Sequence, residues 1–134
     1  MAFRGIHHVG LAVADLDESI ATYEQLFGAR LEHRELLAED RVEVAVIRVG
    51  EDRIELLAAI EEDSPVGRFV SRRGPGIHHI AYEADDVQAS LDELAGAGAE
   101  LIDHAPRPGF LGLRVAFVHP DAVHGVLTEV VSGG

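Results

Sequence analysis

Gly5-Ile6-His7-His8-Val9-Gly10-Leu11-Ala12 is answered 71 residues later by Gly76-Ile77-His78-His79-Ile80-Ala81-Tyr82-Glu83. The same offset pairs Asp15 with Asp86, Ser19 with Ser90, and Val44-Ala45-Val46-Ile47 with Val115-Ala116-Phe117-Val118. A constant offset carried by separated segments marks an internal repeat. The chain therefore reads as two homologous modules, 1–72 and 73–134.

Each module has the same order of elements. The first opens on a strand at 6–13. Asp15-Leu16-Asp17-Glu18 then supplies a helix cap, Asp15, with acids in the first turn, where the helix dipole favours them. Leu16, Ile20, Tyr23 and Phe27 recur at helical spacing and Gly28 stops the helix. Strands follow at 31–37, 42–49 and 53–59. The second module predicts a strand at 77–84, a helix over 86–96 with Gly98 as its stop, and strands near 100–104, 113–119 and 125–131. Ser64-Pro65 has the form of an N-cap and first helical residue, which places a short linking helix over 65–72. Gly74-Pro75-Gly76 separates it from the second module. The pattern is βαβββ twice, an α+β chain.

The composition excludes several classes. All eleven cations among the 134 residues are Arg, against 24 acids, for a net charge of −13. The acidity is spread, with 7 Arg against 15 acids in 1–71 and 4 against 9 in 72–134. There is no basic footprint for nucleic acid. An anionic ligand needs a local positive centre such as a metal or clustered Arg. Cysteine is absent, which removes disulfides, thiolate metal sites and Cys nucleophiles. No apolar run is long enough for a membrane helix, and the N-terminal residues lack the apolar stretch of a secretion signal. A cytoplasmic, non-membrane location is expected.

Four polar residues stand inside otherwise apolar strands: His8, Glu55 in Ile54-Glu55-Leu56-Leu57, His79, and Glu129 in Val126-Leu127-Thr128-Glu129-Val130-Val131. His8 and His79 are repeat mates, and Glu55 and Glu129 sit near the same place in each module's last strand. A single strand His is often only a core or edge residue. A buried carboxylate needs an Arg partner, a metal or an exposed face. Two His and two carboxylates, one pair per module, also form a symmetric N₂O₂ donor set. Such donors suit Zn²⁺, Co²⁺, Ni²⁺, Mn²⁺ or Fe²⁺. His7 and His78 alternate to the opposite strand face and are excluded from that set.

These words resemble the vicinal oxygen chelate superfamily and, within it, the methylmalonyl-CoA epimerases. The resemblance also draws on Asp63-Ser64-Pro65-Val66 with Arg68-Phe69-Val70, on Pro106-Arg107-Pro108-Gly109, and on His119-Pro120 with Gly125-Val126-Leu127-Thr128-Glu129. It runs in family order over nearly the whole chain. It implies two pseudo-symmetric βαβββ modules forming an eight-stranded, open, barrel-like cup. It implies a divalent metal, often cobalt, on His8, Glu55, His79 and Glu129, an acyl-CoA substrate epimerised at C2, and a homodimer. Glu129 would be both ligand and acid–base group. Arg107, Phe110 and Leu111 are the expected substrate contacts.

The chain departs from the family pattern in three places. A gapless match puts Val44 where some epimerases carry a second base. Glu43, its neighbour, is the candidate instead, provided a bulge turns it to the other strand face. The loop Gly109-Phe110-Leu111-Gly112-Leu113 is bulkier than usual, and Asp121 follows His119-Pro120 in place of a Lys. The alternatives are a glyoxalase I-like isomerase acting on a thiol hemithioacetal and a small-molecule-binding resistance protein. The metal quartet disfavours the second, as does a content of only 5% aromatic residues. It also disfavours a ring-cleaving dioxygenase, which uses three ligands.

Overall fold

The structure is a computed structural model that describes residues 3–133. Its elements are β1 (Phe3–Ala12), α1 (Leu16–Phe27), β2 (Arg30–Leu37), β3 (Val42–Val49), β4 (Asp52–Ala59), α2 (Pro65–Arg73), β5 (Gly76–Ala84), α3 (Val87–Gly96), β6 (Arg107–Pro108), β7 (Arg114–Val118) and β8 (Thr128–Ser132). Short 3-10 turns at Phe110–Gly112 and Pro120–Val123 flank β7. No described helix is long and apolar enough to cross a membrane.

The chain divides into two compact units, His8–His78 and the residues through His7 together with those from His79 onward. In the first, strands run in the order β2-β3-β4-β1, with β1 parallel to β4 and the other neighbours antiparallel. In the second the order is β5-β8-β7-β6, with β5 parallel to β8. This is βαβββ in each case, as the repeat predicts.

Each unit packs one helix on one sheet face. In the first, Leu16 and Ile20 of α1 bury against Ala45, Ile47 and Leu56. In the second, Val87 and Leu91 of α3 bury against Ala116, Val118 and Val130. Leu16, Ile20, Ala45 and Ile47 map by the offset of 71 onto Val87, Leu91, Ala116 and Val118, so the repeat is also a repeat of core positions. Strand alternation leaves the opposite sheet face for other side chains.

The helix starts repeat as well. Asp15 and Asp86 hold extended backbone and accept from the N–H groups of Glu18 and Ala89 at 2.9 and 3.0 Å. Ser64 caps α2 by accepting from Gly67 N–H at 3.1 Å, with Pro65 in the first turn. Gly28 closes α1 in the left-handed region, at φ 65°.

Two expected strands differ. The segment near 100–104 is not a strand, because Leu101 makes a single bridge to Val118 and pairing resumes only at Arg107–Pro108. The cause is Asp103, whose carboxylate accepts from Phe117 N–H at 2.8 Å and takes the place of a ladder carbonyl. The last strand starts at Thr128 rather than 125, since His124 and Gly125 adopt positive φ of 61° and 96°.

Because the two caps are separate copies of one device, Asp15→Ala and Asp86→Ala should each lower unfolding stability by about 1 kcal/mol. Their double variant should lose the sum within roughly 0.5 kcal/mol, read from urea midpoints. A silent Asp86→Ala would show that α3 is held by packing alone.

Candidate functional site

In the unit His8–His78, β1 lies parallel to β4 with Gly10 opposite Glu55, so His8 and Glu55 share the sheet face turned away from α1. Glu55 stands opposite Val46 on β3, and Leu57 opposite Val44, so that face is otherwise apolar near the carboxylate. His8 Nε2 lies 3.3 Å from Glu55 Oε1, and the two side chains are 0% and 6% accessible.

The second unit repeats the arrangement. Ala81 on β5 and Phe117 on β7 both stand opposite Glu129 on β8, which puts His79, Glu129 and Phe117 on one face. His79 Nε2 lies 3.6 Å from Glu129 Oε1, with side chains 1% and 8% accessible. The Phe117 ring meets the His79 ring edge-on at 5.5 Å and 89°. On the same aromatic ring sits the Arg107 guanidinium, 5.5 Å from the centroid. Asp103 holds it there: one carboxylate oxygen accepts from both Arg107 Nε at 3.3 Å and Phe117 N–H.

Both pairs fit metal-ligand chemistry. A charged N–H···O bond between imidazolium and carboxylate closes to about 2.7–2.9 Å. Two donors sharing one ion at about 2.1 Å stand roughly 3.0–3.4 Å apart in tetrahedral or octahedral geometry. The observed 3.3 Å of the first pair falls within that range and the 3.6 Å of the second just beyond it, both longer than the charged hydrogen bond. Each pair joins an imidazole nitrogen to a buried carboxylate oxygen, the donor mixture that suits borderline divalent cations. Burying a carboxylate is costly, and a cation offsets the cost.

Other candidate residues fall elsewhere. Glu43 stands on the α1 side of β3. The β3–β4 register is continuous from Val42 to Val49, so no bulge turns Glu43 toward the His8–Glu55 face. Its carboxylate accepts from Arg34 Nε at 3.0 Å, and Arg34 also reaches Asp17 of α1. Glu43 and Asp17 together hold that guanidinium more firmly protonated than usual. The expectation of a bulge that brings Glu43 to the site face is thus corrected. Phe110 is buried against the His7 ring at 6.1 Å, whereas Leu111 is exposed at φ 56°. His78 packs edge-on against Phe69 of α2, and Arg73 lies over the same Phe69 ring.

Sequence reasoning passed over His33 and Glu35. They lie on β2 opposite Val46 and Val44, on the His8–Glu55 face, with His33 Nε2 2.8 Å from Glu35 Oε1. Their alternation was legible, but their facing was not. A bulge between Leu31 and His33 shifts the phase of β2, and no turn residue announces it. Asp103 and Phe117, which seat Arg107, were missed for a similar reason: both act through an irregular segment.

The chain is similar in sequence and fold to known epimerases. Ethylmalonyl-CoA/methylmalonyl-CoA epimerase of Cereibacter sphaeroides is 35% identical over 127 residues, covering 93% of this chain and 95% of the relative. The crystal structure of methylmalonyl-CoA epimerase from Mycobacterium tuberculosis matches with a TM-score of 0.95 at 34% identity, over 99% of this chain and 90% of that one. A methylmalonyl-CoA epimerase in complex with methylmalonyl-CoA and NH4+ matches with the same TM-score and identity, over 99% and 96%. The family description Glyoxalase/Bleomycin resistance protein/Dioxygenase superfamily matches residues 7–117. With its two βαβββ units and these relatives, the chain belongs to the glyoxalase/bleomycin resistance protein/dioxygenase superfamily, in the vicinal oxygen chelate fold.

Proposed function

We propose that the protein is a metal-dependent epimerase that interconverts the two C2 epimers of methylmalonyl-CoA. The observation that carries this is the duplicated, buried His–Glu pair, His8 with Glu55 and His79 with Glu129, in a chain whose relatives bear that name. His8, Glu55, His79 and Glu129 are the ligands this reading assigns to a divalent cation, cobalt by resemblance, with zinc, nickel or manganese also suited to the donors. When bound, that cation supplies Lewis-acid stabilisation of the negative charge that develops as the C2 proton leaves.

The chain's own residues do the rest. C2 of the substrate lies between a thioester and a carboxylate, so its proton is acidic enough for a carboxylate base. Glu129 takes or returns that proton on one face of C2. Epimerisation also requires a group on the other face, and Glu43, turned toward Arg34, does not supply it. Arg107 sits over Phe117, one ring from His79, and this reading assigns it to an anionic group of the acyl-CoA. In a chain of net charge −13, this guanidinium is a local positive centre for such a ligand. Leu111 offers exposed apolar surface after β6, whereas Phe110, the other expected contact, packs inward against His7. A homodimer and a cytoplasmic location belong to the same proposal.

The test follows one epimer of methylmalonyl-CoA in D₂O, reading C2 deuterium and the epimer ratio together. Chelator-treated protein should be inactive and regain both signals with Co²⁺. Glu129→Gln should lower turnover by about 10²–10⁴-fold, with metal content measured alongside. Exchange that is indifferent to chelation would contradict the metal-dependent reading.

Arg107→Ala should raise KM for the acyl-CoA about tenfold, worth about 1.4 kcal/mol, while kcat changes little. A fall in kcat at constant KM would instead place Arg107 in the proton-transfer step.

A further inference from the structure

Proton removal on one face of C2 and delivery on the other need two separate groups. With Glu129 serving one face, a second ionisable group is required, and in the unit His8–His78 the sheet face to search is the one that carries His8 and Glu55. Glu43 fails because it stands on the α1 side of β3, and Val44, which does stand on the site face, has no proton to give.

One strand further out, the requirement is met. Glu35 on β2 lies directly opposite Val44, and His33 directly opposite Val46, which is itself opposite Glu55. Directly opposed residues on antiparallel strands have Cα atoms roughly 4.5–5.5 Å apart, about the reach of a glutamate side chain. Glu35 therefore brings a carboxylate to the neighbourhood that Val44 leaves apolar. The β2 bulge after Leu31 makes this so: the extra residue, Glu32, turns to Arg48, and the phase of His33 and Glu35 flips onto the site face. Arg34, between them, points to the α1 side and ties up Glu43 and Asp17 there. His33 Nε2 and Glu35 Oε1 are 2.8 Å apart, and their side chains are 28% and 30% accessible. The pair is thus fixed by its own hydrogen bond yet open enough for a substrate to reach.

We propose that Glu35, positioned by its hydrogen bond to His33, is the second proton-transfer group of the epimerisation. The assignment rests on the epimerase reading above. In one direction, the Glu129 carboxylate takes the C2 proton and the C–H electron pair moves into the thioester carbonyl, giving the enolate. Protonated Glu35 then donates its proton to the opposite face of C2, the enolate pair forms the new C–H bond, and Glu35 is left as carboxylate. The reverse direction exchanges the two roles, and each carboxyl regains its starting state through solvent. No redox partner is needed.

The experiment gives each epimer separately to the metal-loaded protein in D₂O. Wild-type protein should exchange and invert both. If it does neither with either epimer, the epimerase reading falls, and the assignment of Glu35 with it. In Glu35→Gln, inversion should fall about 100-fold or more. Exchange without inversion should persist for only one epimer, the one whose C2 proton faces Glu129. Adding Val44→Glu, which restores a carboxylate to the same face, should recover at least about tenfold of the lost inversion. In His33→Gln, the kcat–pH profile should shift while KM stays within about twofold. Inversion by Glu35→Gln near the wild-type rate would overturn the assignment. So would equal loss of exchange from both epimers without rescue by Val44→Glu. An unmoved pH profile in His33→Gln would remove His33 as the positioning residue.

Discussion

Two carboxylates buried inside β-strands are the constraint around which this protein is built. Glu55 and Glu129 sit in strand positions where an aliphatic residue would pack without penalty, and each faces an imidazole nitrogen. Withdrawing a carboxylate from water costs several kcal/mol unless a positive charge answers it. The spacing within each pair is too long for a good imidazolium–carboxylate bond and near that of two donors around one cation. The surrounding Val44, Val46, Leu57 and Val131 keep the local dielectric low, which strengthens whatever charge the site holds. In the proposed function these same buried side chains would carry the chemistry.

Duplication explains how the same pair arises twice. Each unit builds one helix on one sheet face through the same core positions and caps that helix with the same Asp. What remains on the other sheet face is a His on the first strand of each unit and a Glu on its parallel neighbour. The units then diverge around this shared pair. One adds Phe117 with the Arg107 guanidinium over its ring. The other adds His33 and Glu35, a hydrogen-bonded pair that is part-exposed. The duplicated core positions are the same in both, so the units differ around the His–Glu pair without a change in how each helix packs.

Much of this is legible in the residues. The offset of 71 reveals the duplication, and alternation within it separates His8 and His79 from His7 and His78. Strand ends and facing are less legible wherever the ladder is irregular. Asp103 replaces a ladder carbonyl with its side chain, so a predicted strand near 100–104 dissolves into a bridge and a two-residue strand. Facing depends on an unbroken period of two, and one inserted residue inverts it. Such an insertion was the condition for Glu43 in β3, yet it occurs in β2, where it presents Glu35 instead. Bulges of this kind answer to tertiary packing and leave no local signature, which is why the position of a strand carboxylate was easier to read than its direction.

The proposed function rests on the two buried His–Glu pairs as cation ligands. Calorimetric titration of Co²⁺ into metal-free protein tests it most directly, when wild type is compared with His8→Ala and His79→Ala. Tight Co²⁺ binding is predicted for wild type, with either substitution weakening it by orders of magnitude. Wild-type affinity retained by both variants would contradict it.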